Sequence, residues 1–304
     1  MLQGTMTALV TPFRADGTLD EDGLATLVAR QVAAGVEVVI PCGTTGENPA
    51  LTDVEHLRVI ELTVRACRGT GTRVFAGTGS NNTPRTIEVT RAARELGADG
   101  ALVVTPAYNK PTPEGLFAHY RAVTGACGGF PVLVYNVPGR TGVNLTAETC
   151  LRVATLPGVV GVKEASANLV QMSEIVAGAP AGFALLSGDD PLTLPILALG
   201  GTGVVSVVSN VVPELVKALV DAGLAGDWPT ARRLHYRLLP LARALFLETS
   251  PAPCKAAFQL MGLPGGDVRL PLVPVGEKTR AAVAEALAAV RDPSGLPAAG
   301  RGRA

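Results

Sequence analysis

The sequence predicts an α/β fold, a (β/α)8 TIM barrel with a C-terminal helical extension, and three observations predict it. Short β-branched runs alternate with longer amphipathic stretches. Several of the runs are almost continuously apolar, as strands buried on both faces of a parallel sheet are, and the runs stop beyond about residue 213 while helical patterns continue. The candidate strands span 8–11, 36–40, 73–76, 100–104, 132–135, 159–163, 183–187 and 203–207. Helical patterns lie between them at 20–34, 53–68, 84–96, 113–126, 147–154, 169–177 and 191–199. Thr52 ahead of Asp53, Val54 and Glu55 makes a capping box, and Thr83 and Thr112 each precede a proline suited to a first helical position. Right-handed crossovers make closure the simplest arrangement for so regular an alternation. A doubly wound open sheet is the rival. Against it, Thr11, Pro12 and Phe13 stand where a glycine-rich nucleotide fingerprint would follow the first strand, and no Walker-type sequence occurs. Further helices are expected at 213–222, 228–247, 253–261 and 277–290, the first closing the barrel. The barrel is thus expected over 1–225, the helical extension over 226–292 and a flexible Pro/Gly/Ala/Arg-rich tail over 293–304.

Lysine plus arginine number 26 and so do aspartate plus glutamate, which leaves no basic excess to hold nucleic acid or a membrane surface. A hydrophobic share of 47% against 17% charged residues supplies a large core and too little charge for disorder. Cys42, Cys67, Cys127, Cys150 and Cys254 are odd in number and widely spaced, with no C-x-x-C pair, which reads as reduced thiols in a cytoplasmic protein and not as a disulfide framework or zinc site. The N-terminal residues lack the basic region ahead of an apolar one that a secretory signal would need. The stretch between Asp190 and Glu214 carries no charge and is long enough to span a bilayer. Pro191, Pro195 and the Gly200-Gly201-Thr202-Gly203 break suit a short buried helix, a turn and a buried strand better.

A barrel carries its active site at the C-terminal ends of the strands. The residues found there are Thr44 and Thr45, Thr78, Tyr108, Tyr135, Lys163 and Gly188, mostly hydroxyl and amine groups and no metal-ligand set. Lys163 is one of only five lysines and alone ends an apolar strand. Desolvation would lower its pKa and yield a neutral amine able to attack a carbonyl. The plainer reading is a strand-end lysine snorkelling to solvent or paired with Glu164. Tyr135 could pass protons if its hydroxyl meets Thr45 or Tyr108, or it could be a core tyrosine with a satisfied hydroxyl. Arg140 suits bidentate capture of a carboxylate and could equally be an ordinary surface arginine. The Gly43-Thr44-Thr45-Gly46-Glu47 turn offers hydroxyls and backbone N–H groups to a small carboxylate, although such turns are common. His56, His119 and His235 all lie within helical patterns and take no role as base or metal ligand.

Six segments, in this order and spacing, carry a resemblance over roughly residues 4–275: Gly43-Thr44-Thr45-Gly46-Glu47, Tyr108-Asn109-Lys110-Pro111, Tyr135-Asn136-Val137-Pro138-Gly139-Arg140-Thr141-Gly142, Gly161-Val162-Lys163-Glu164-Ala165, Ser187-Gly188-Asp189-Asp190 and Gly203-Val204-Val205-Ser206-Val207. The chain resembles the dihydrodipicolinate synthase / N-acetylneuraminate lyase family. The resemblance implies a class I lyase in which Lys163 forms a Schiff base with pyruvate. The enamine then attacks L-aspartate 4-semialdehyde, giving 4-hydroxy-tetrahydrodipicolinate in lysine and diaminopimelate biosynthesis. It further implies that Tyr135 stands between Lys163 and Thr45 in a proton relay, completed by Tyr108 reaching in from a neighbouring subunit. Thr44 and Thr45 would hold the pyruvate carboxylate, Arg140 the semialdehyde carboxylate, and the backbone at Gly188 and Val205 would line the pocket. No metal or organic cofactor is implied, and the implied assembly is a homotetramer built as a dimer of dimers, with a homodimer as the smaller option.

Arg140 and the doubled threonine separate this reading from neuraminate lyases, which resemble it less at both positions. A 2-keto-3-deoxy-sugar-acid or 4-hydroxy-2-oxoglutarate aldolase on the same scaffold is the alternative enzyme, and a pyruvate-binding sensor the non-enzymatic one. Ala107 stands where many relatives carry a second tyrosine, and Ser250 where they carry asparagine. Lysine-inhibited relatives typically have histidine at the position of Asp53, glutamate at that of Arg85 and tyrosine at that of Ala107. Arg85 would meet the effector's ammonium with a like charge. Feedback by lysine is therefore expected to be weak or absent: initial rates should hold in submillimolar L-lysine, and strong inhibition there would refute the expectation.

Overall fold

The computed structural model describes residues 1–291, and the tail expected over 293–304 lies outside them. Eight parallel strands close into a barrel in sequence order: β1 (Gly4–Ala8), β2 (Val38–Ile40), β3 (Arg73–Gly77), β4 (Gly100–Val104), β5 (Val132–Asn136), β6 (Val159–Glu164), β7 (Ala184–Ser187) and β8 (Gly203–Ser206). Helices α1 (Glu21–Ala33), α2 (Asp53–Cys67), α3 (Thr83–Glu95), α4 (Pro113–Ala126), α5 (Pro138–Thr141), α6 (Ala147–Ala154), α7 (Leu169–Gly178), α8 (Thr193–Ala198) and α9 (Pro213–Leu224) follow the strands. The helices α10 (Trp228–Ala244), α11 (Ala252–Met261) and α12 (Glu277–Arg291) form the C-terminal part. Among the described residues no helix is long and apolar enough to cross a membrane. The uncharged stretch before Glu214 instead holds α8, a glycine turn and β8.

Two-residue periodicity divides the sheet. Met6, Ala8, Val38, Ile40, Phe75, Leu102, Leu133, Tyr135, Leu186 and Val205 fill the barrel, while Val39, Val74, Ala101, Val134, Leu185 and Val204 pack under the helices. Both sets are buried, which explains why the strands read as continuous apolar runs.

Four expectations need correction. The first strand lies at Gly4–Ala8 and not at 8–11. Its outer threonines are buried, the Thr7 hydroxyl donating to Gln31 at 2.7 Å and the Thr5 backbone N–H to Glu37 at 2.8 Å, whereas beyond Ala8 the Val10 N–H donates to the Asn210 side chain at 3.1 Å. The apolar residues after Ala8 thus already belong to the loop. Asn82, not Thr83, caps α3, accepting from the Arg85 N–H at 3.1 Å. The 191–199 helix is split into a 3-10 turn at Asp190–Leu192 and α8. The segment after β5 also contains a short helix, α5, closed by Gly142 at φ 74.

One irregularity aims the site. Val132 pairs with Val159 but Leu133 pairs with Gly161, so Val160 is an extra residue in β6. Val160 packs with the barrel interior and Val162 with the helix layer. The inward phase has therefore shifted by one residue, and Lys163 faces inward opposite Tyr135. Gly161 makes this possible, since a Cβ there would stand 2.5 Å from the Ala184 carbonyl oxygen. Gly161→Ala is accordingly expected to cost about 1–3 kcal/mol. Thermal unfolding should register this as a fall in Tm of roughly 2–10 °C, and an unchanged Tm would contradict the packing argument.

Candidate active site

At the C-terminal ends of the strands a cleft of about 500 Å³ is lined by Thr44, Gly77, Val104, Tyr135, Arg140 and Thr141, among others. Lys163 is 5% exposed, and its Nζ lies 4.0 Å from the centroid of the Tyr135 ring. Burial pulls its ammonium down to about 7, while the Asp190 carboxylate pulls in the opposite direction and the Arg140 guanidinium adds to the depression. The aliphatic stem runs close to Gly188, where a Cβ would lie 3.1 Å from Lys163 Cγ. Glycine there leaves room for the stem. Val205 sits on the barrel-filling face of β8, buried.

Glu164 does not pair with Lys163, because successive residues of a strand point to opposite faces. Its carboxylate lies outside the barrel and is fully buried, accepting from Asn136 Nδ2 at 3.0 and 3.1 Å, from Gln171 Nε2 at 3.1 Å and from the Ser166 N–H at 2.7 Å. Burial raises its pKa, and these bonds oppose the rise. Asn136 and Glu164 are register partners directly beyond the Tyr135 and Lys163 pair, so the bond between them ties the two functional strand ends together.

Burial pushes the Tyr135 hydroxyl up to about 12, with Arg140 and a hydrogen bond shared with the Thr44 side chain acting against it. Thr44 is thus the threonine of the turn that acts on the Tyr135 hydroxyl; Thr45 is buried at 5% exposure in the same turn. Thr78 bonds the Thr90 hydroxyl of α3 at 2.8 Å and so faces the helix layer. Tyr108 has a left-handed backbone, φ 72, is 90% exposed and does not join the site of its own chain. Arg140, at the cleft wall on α5, reaches the Ser250 carbonyl only at 3.5 Å, which leaves its donors for a ligand.

Asp190 closes the Ser187-Gly188-Asp189-Asp190 segment, and its sequence context alone assigns it no task. Asp190 accepts from the Ser206 hydroxyl and from the N–H groups of Val207 at 2.9 Å and Val208 at 3.2 Å, which fixes its carboxyl group near Lys163; burial raises its pKa, and these bonds and Lys163 oppose the rise. Lys255, one of the four lysines that do not end an apolar strand, is fully buried and paired with Glu47. Its apolar neighbours Cys254, Ala256, Ala257 and Phe258 were the available signal. Asp53 and Arg85 form an ion pair with each other, and Arg85 also pairs with Glu88 at 3.0 Å. Among the described residues no group of three or more His, Cys, Asp or Glu side chains is placed to hold a metal ion.

The family model described as "Dihydrodipicolinate synthetase family" matches residues 1–290. The 4-hydroxy-tetrahydrodipicolinate synthase of Methanothrix thermoacetophila is 47% identical over 296 residues, covering 97% of this chain and 99% of its own. That of Citrifermentans bemidjiense is 51% identical over 277 residues, covering 91% and 94%. The crystal structure of dihydrodipicolinate synthase from Aquifex aeolicus superposes with a TM-score of 0.91 at 42% identity, covering 94% of this chain and 97% of that one. The closed barrel, the inward lysine of β6 and these matches together make the chain a member of the dihydrodipicolinate synthetase family.

Proposed function

We propose that this chain condenses pyruvate with L-aspartate 4-semialdehyde to give 4-hydroxy-tetrahydrodipicolinate, using Lys163 as a Schiff-base amine. The observation that carries the reading is the desolvated Lys163 amine, drawn down to about 7, held over Tyr135 at the end of a dry barrel. Such an amine is partly neutral at physiological pH and can attack the ketone of pyruvate. Loss of water from the carbinolamine gives an iminium, whose positive nitrogen accepts the electron pair left when a methyl proton departs. The resulting enamine forms the new carbon–carbon bond to the aldehyde of the semialdehyde. The substrate's own amine then displaces Lys163 as the ring closes. The protein's amine supplies the electron sink, so the reading needs no metal or organic cofactor.

Thr44 and Thr45 hold the pyruvate carboxylate in the turn after β2. Tyr135 and Thr44 pass protons to and from the carbinolamine, which revises the relay from Thr45 to Thr44 on the strength of the shared hydrogen bond. Tyr108 of the partner subunit completes that relay; its exposed side chain and strained backbone in the single chain support a seat across an interface. A tight dimer as the functional unit follows from that reading, and a homotetramer built as a dimer of two such dimers is the assembly proposed. Arg140 receives the semialdehyde carboxylate, while Gly188 and Val205 shape the floor around Lys163. Five buried free cysteines support a reducing, cytoplasmic setting.

Borohydride treatment with pyruvate, followed by peptide mass mapping, should label Lys163, and Lys163→Ala should abolish both labelling and turnover. Retained labelling in that variant would overturn the assignment. Pyruvate binding without turnover would point to a sensor, and cleavage of a keto-deoxy acid without this condensation to an aldolase. Only the neutral amine attacks, so the trapping rate should fall as pH drops below about 7 and flatten above it. Arg140→Met removes a positive neighbour, and should move that limb to higher pH while raising the KM for semialdehyde about tenfold or more. A pH-independent trapping rate would contradict the desolvated amine.

A further inference from the structure

We propose that Lys255 and Glu47 are positioning residues through which the C-terminal helical part holds the pyruvate-binding turn in shape. The proposal rests on the reading of Thr44 and Thr45 as the carboxylate donors.

Glu47 lies two residues beyond Thr45 and is 3% exposed. Its backbone is left-handed, φ 52, a conformation that a residue with a side chain adopts at a cost and keeps only when its surroundings impose it. The turn is closed by the Glu47 N–H donating to the Thr44 carbonyl and the Gly46 N–H to the Gly43 carbonyl, both at 3.1 Å. The Thr11 hydroxyl donates to the Gly46 carbonyl at 2.7 Å. Any force that fixes Glu47 therefore fixes Thr44 and Thr45.

That force comes from the far end of the chain. One carboxylate oxygen of Glu47 is 2.5 Å from Lys255 Nζ, and the other accepts the Arg269 backbone N–H at 3.1 Å. Lys255 Nζ also donates to the Asp267 carbonyl at 2.5 Å and lies 4.2 Å from the centroid of the Phe13 ring. The Arg269 guanidinium stands 4.1 Å from the same ring and grips both oxygens of Glu55, at the head of α2, at 2.8 and 2.5 Å. The turn is thus held from the C-terminal part at one end and flanked by an anchored helix at the other.

A buried ion pair is an expensive way to gain stability, since apolar residues of like volume serve as well or better. What apolar contact lacks is direction. An ammonium that must meet one carboxylate oxygen fixes where Glu47 points, and with it the hydroxyls two and three residues upstream.

The test compares Lys255→Met, Glu47→Gln and the double variant with the parent chain. The readouts are the pyruvate dependence of borohydride trapping at Lys163 and the steady-state KM for each substrate. Lys255→Met is expected to raise the half-saturating pyruvate concentration about tenfold, with the semialdehyde KM and kcat within about twofold. Glu47→Gln keeps an acceptor for Arg269 and should raise it about threefold, and the double variant should be no worse than Lys255→Met alone. Unchanged pyruvate saturation in a folded Lys255→Met, an equal rise in both KM values, or additive effects would each overturn the proposal in favour of a purely structural pair. Should Lys255→Met fail to fold, Glu47→Gln decides, and unchanged pyruvate saturation there overturns it. A parent chain that never traps pyruvate at Lys163 would instead sink the functional reading itself.

Discussion

The desolvation of one ammonium at the end of β6 governs the rest of this structure. Lys163 stands where the barrel is filled by Leu, Val, Ile and Phe, and water that would stabilise its charge is excluded. Its amine can be neutral near neutral pH only while that environment stays dry, and it can be placed only while the strands around it keep their register. Asp190 and Arg140 then act as a paired trim of opposite sign on the same group. Neither outweighs burial, which sets the direction of the shift.

Placement of the amine depends on a one-residue irregularity. Strict alternation from Val160 would have turned Lys163 toward the helices, into the space that Glu164 occupies. The extra residue reverses the phase, and the close approach of Gly161 to Ala184 lets the sheet absorb it. Behind the barrel wall, Asn136 and Glu164 then lock the ends of β5 and β6 in that register. The polar network sits in the layer between sheet and helices, where each of its members can find partners. It leaves the barrel interior to the apolar residues that keep the amine dry.

The C-terminal helices add to this in a second way. Through Lys255 of α11 and Arg269 of the segment between α11 and α12, the C-terminal part reaches the turn after β2 and the head of α2, at sequence separations above two hundred residues. A barrel supplies rigid strand ends, yet the groups that bind small anions lie on the loops beyond them. In the positioning role proposed for Lys255 and Glu47, buried charge from outside the barrel would hold one such loop in shape.

The order of strands and helices was legible in the sequence, because strands buried on both faces leave uninterrupted apolar runs and helix starts carry caps and prolines that act locally. The sequence also marked out Thr44, Tyr135 and Arg140, which line one cleft, and Lys163, which lies over the Tyr135 ring, since polar residues at or just beyond the ends of apolar strands stand out against their neighbours. The misplaced first strand was not, for Thr5 and Thr7 look polar until Gln31 arrives to bond one of them. The phase shift that turns Lys163 inward, the contact of Thr44 with Tyr135 and the burial of Lys255 were decided only by tertiary structure. Sequence periodicity specifies which local face a residue takes. Phase shifts between paired strands and partners hundreds of residues apart are set by packing, which no local pattern records.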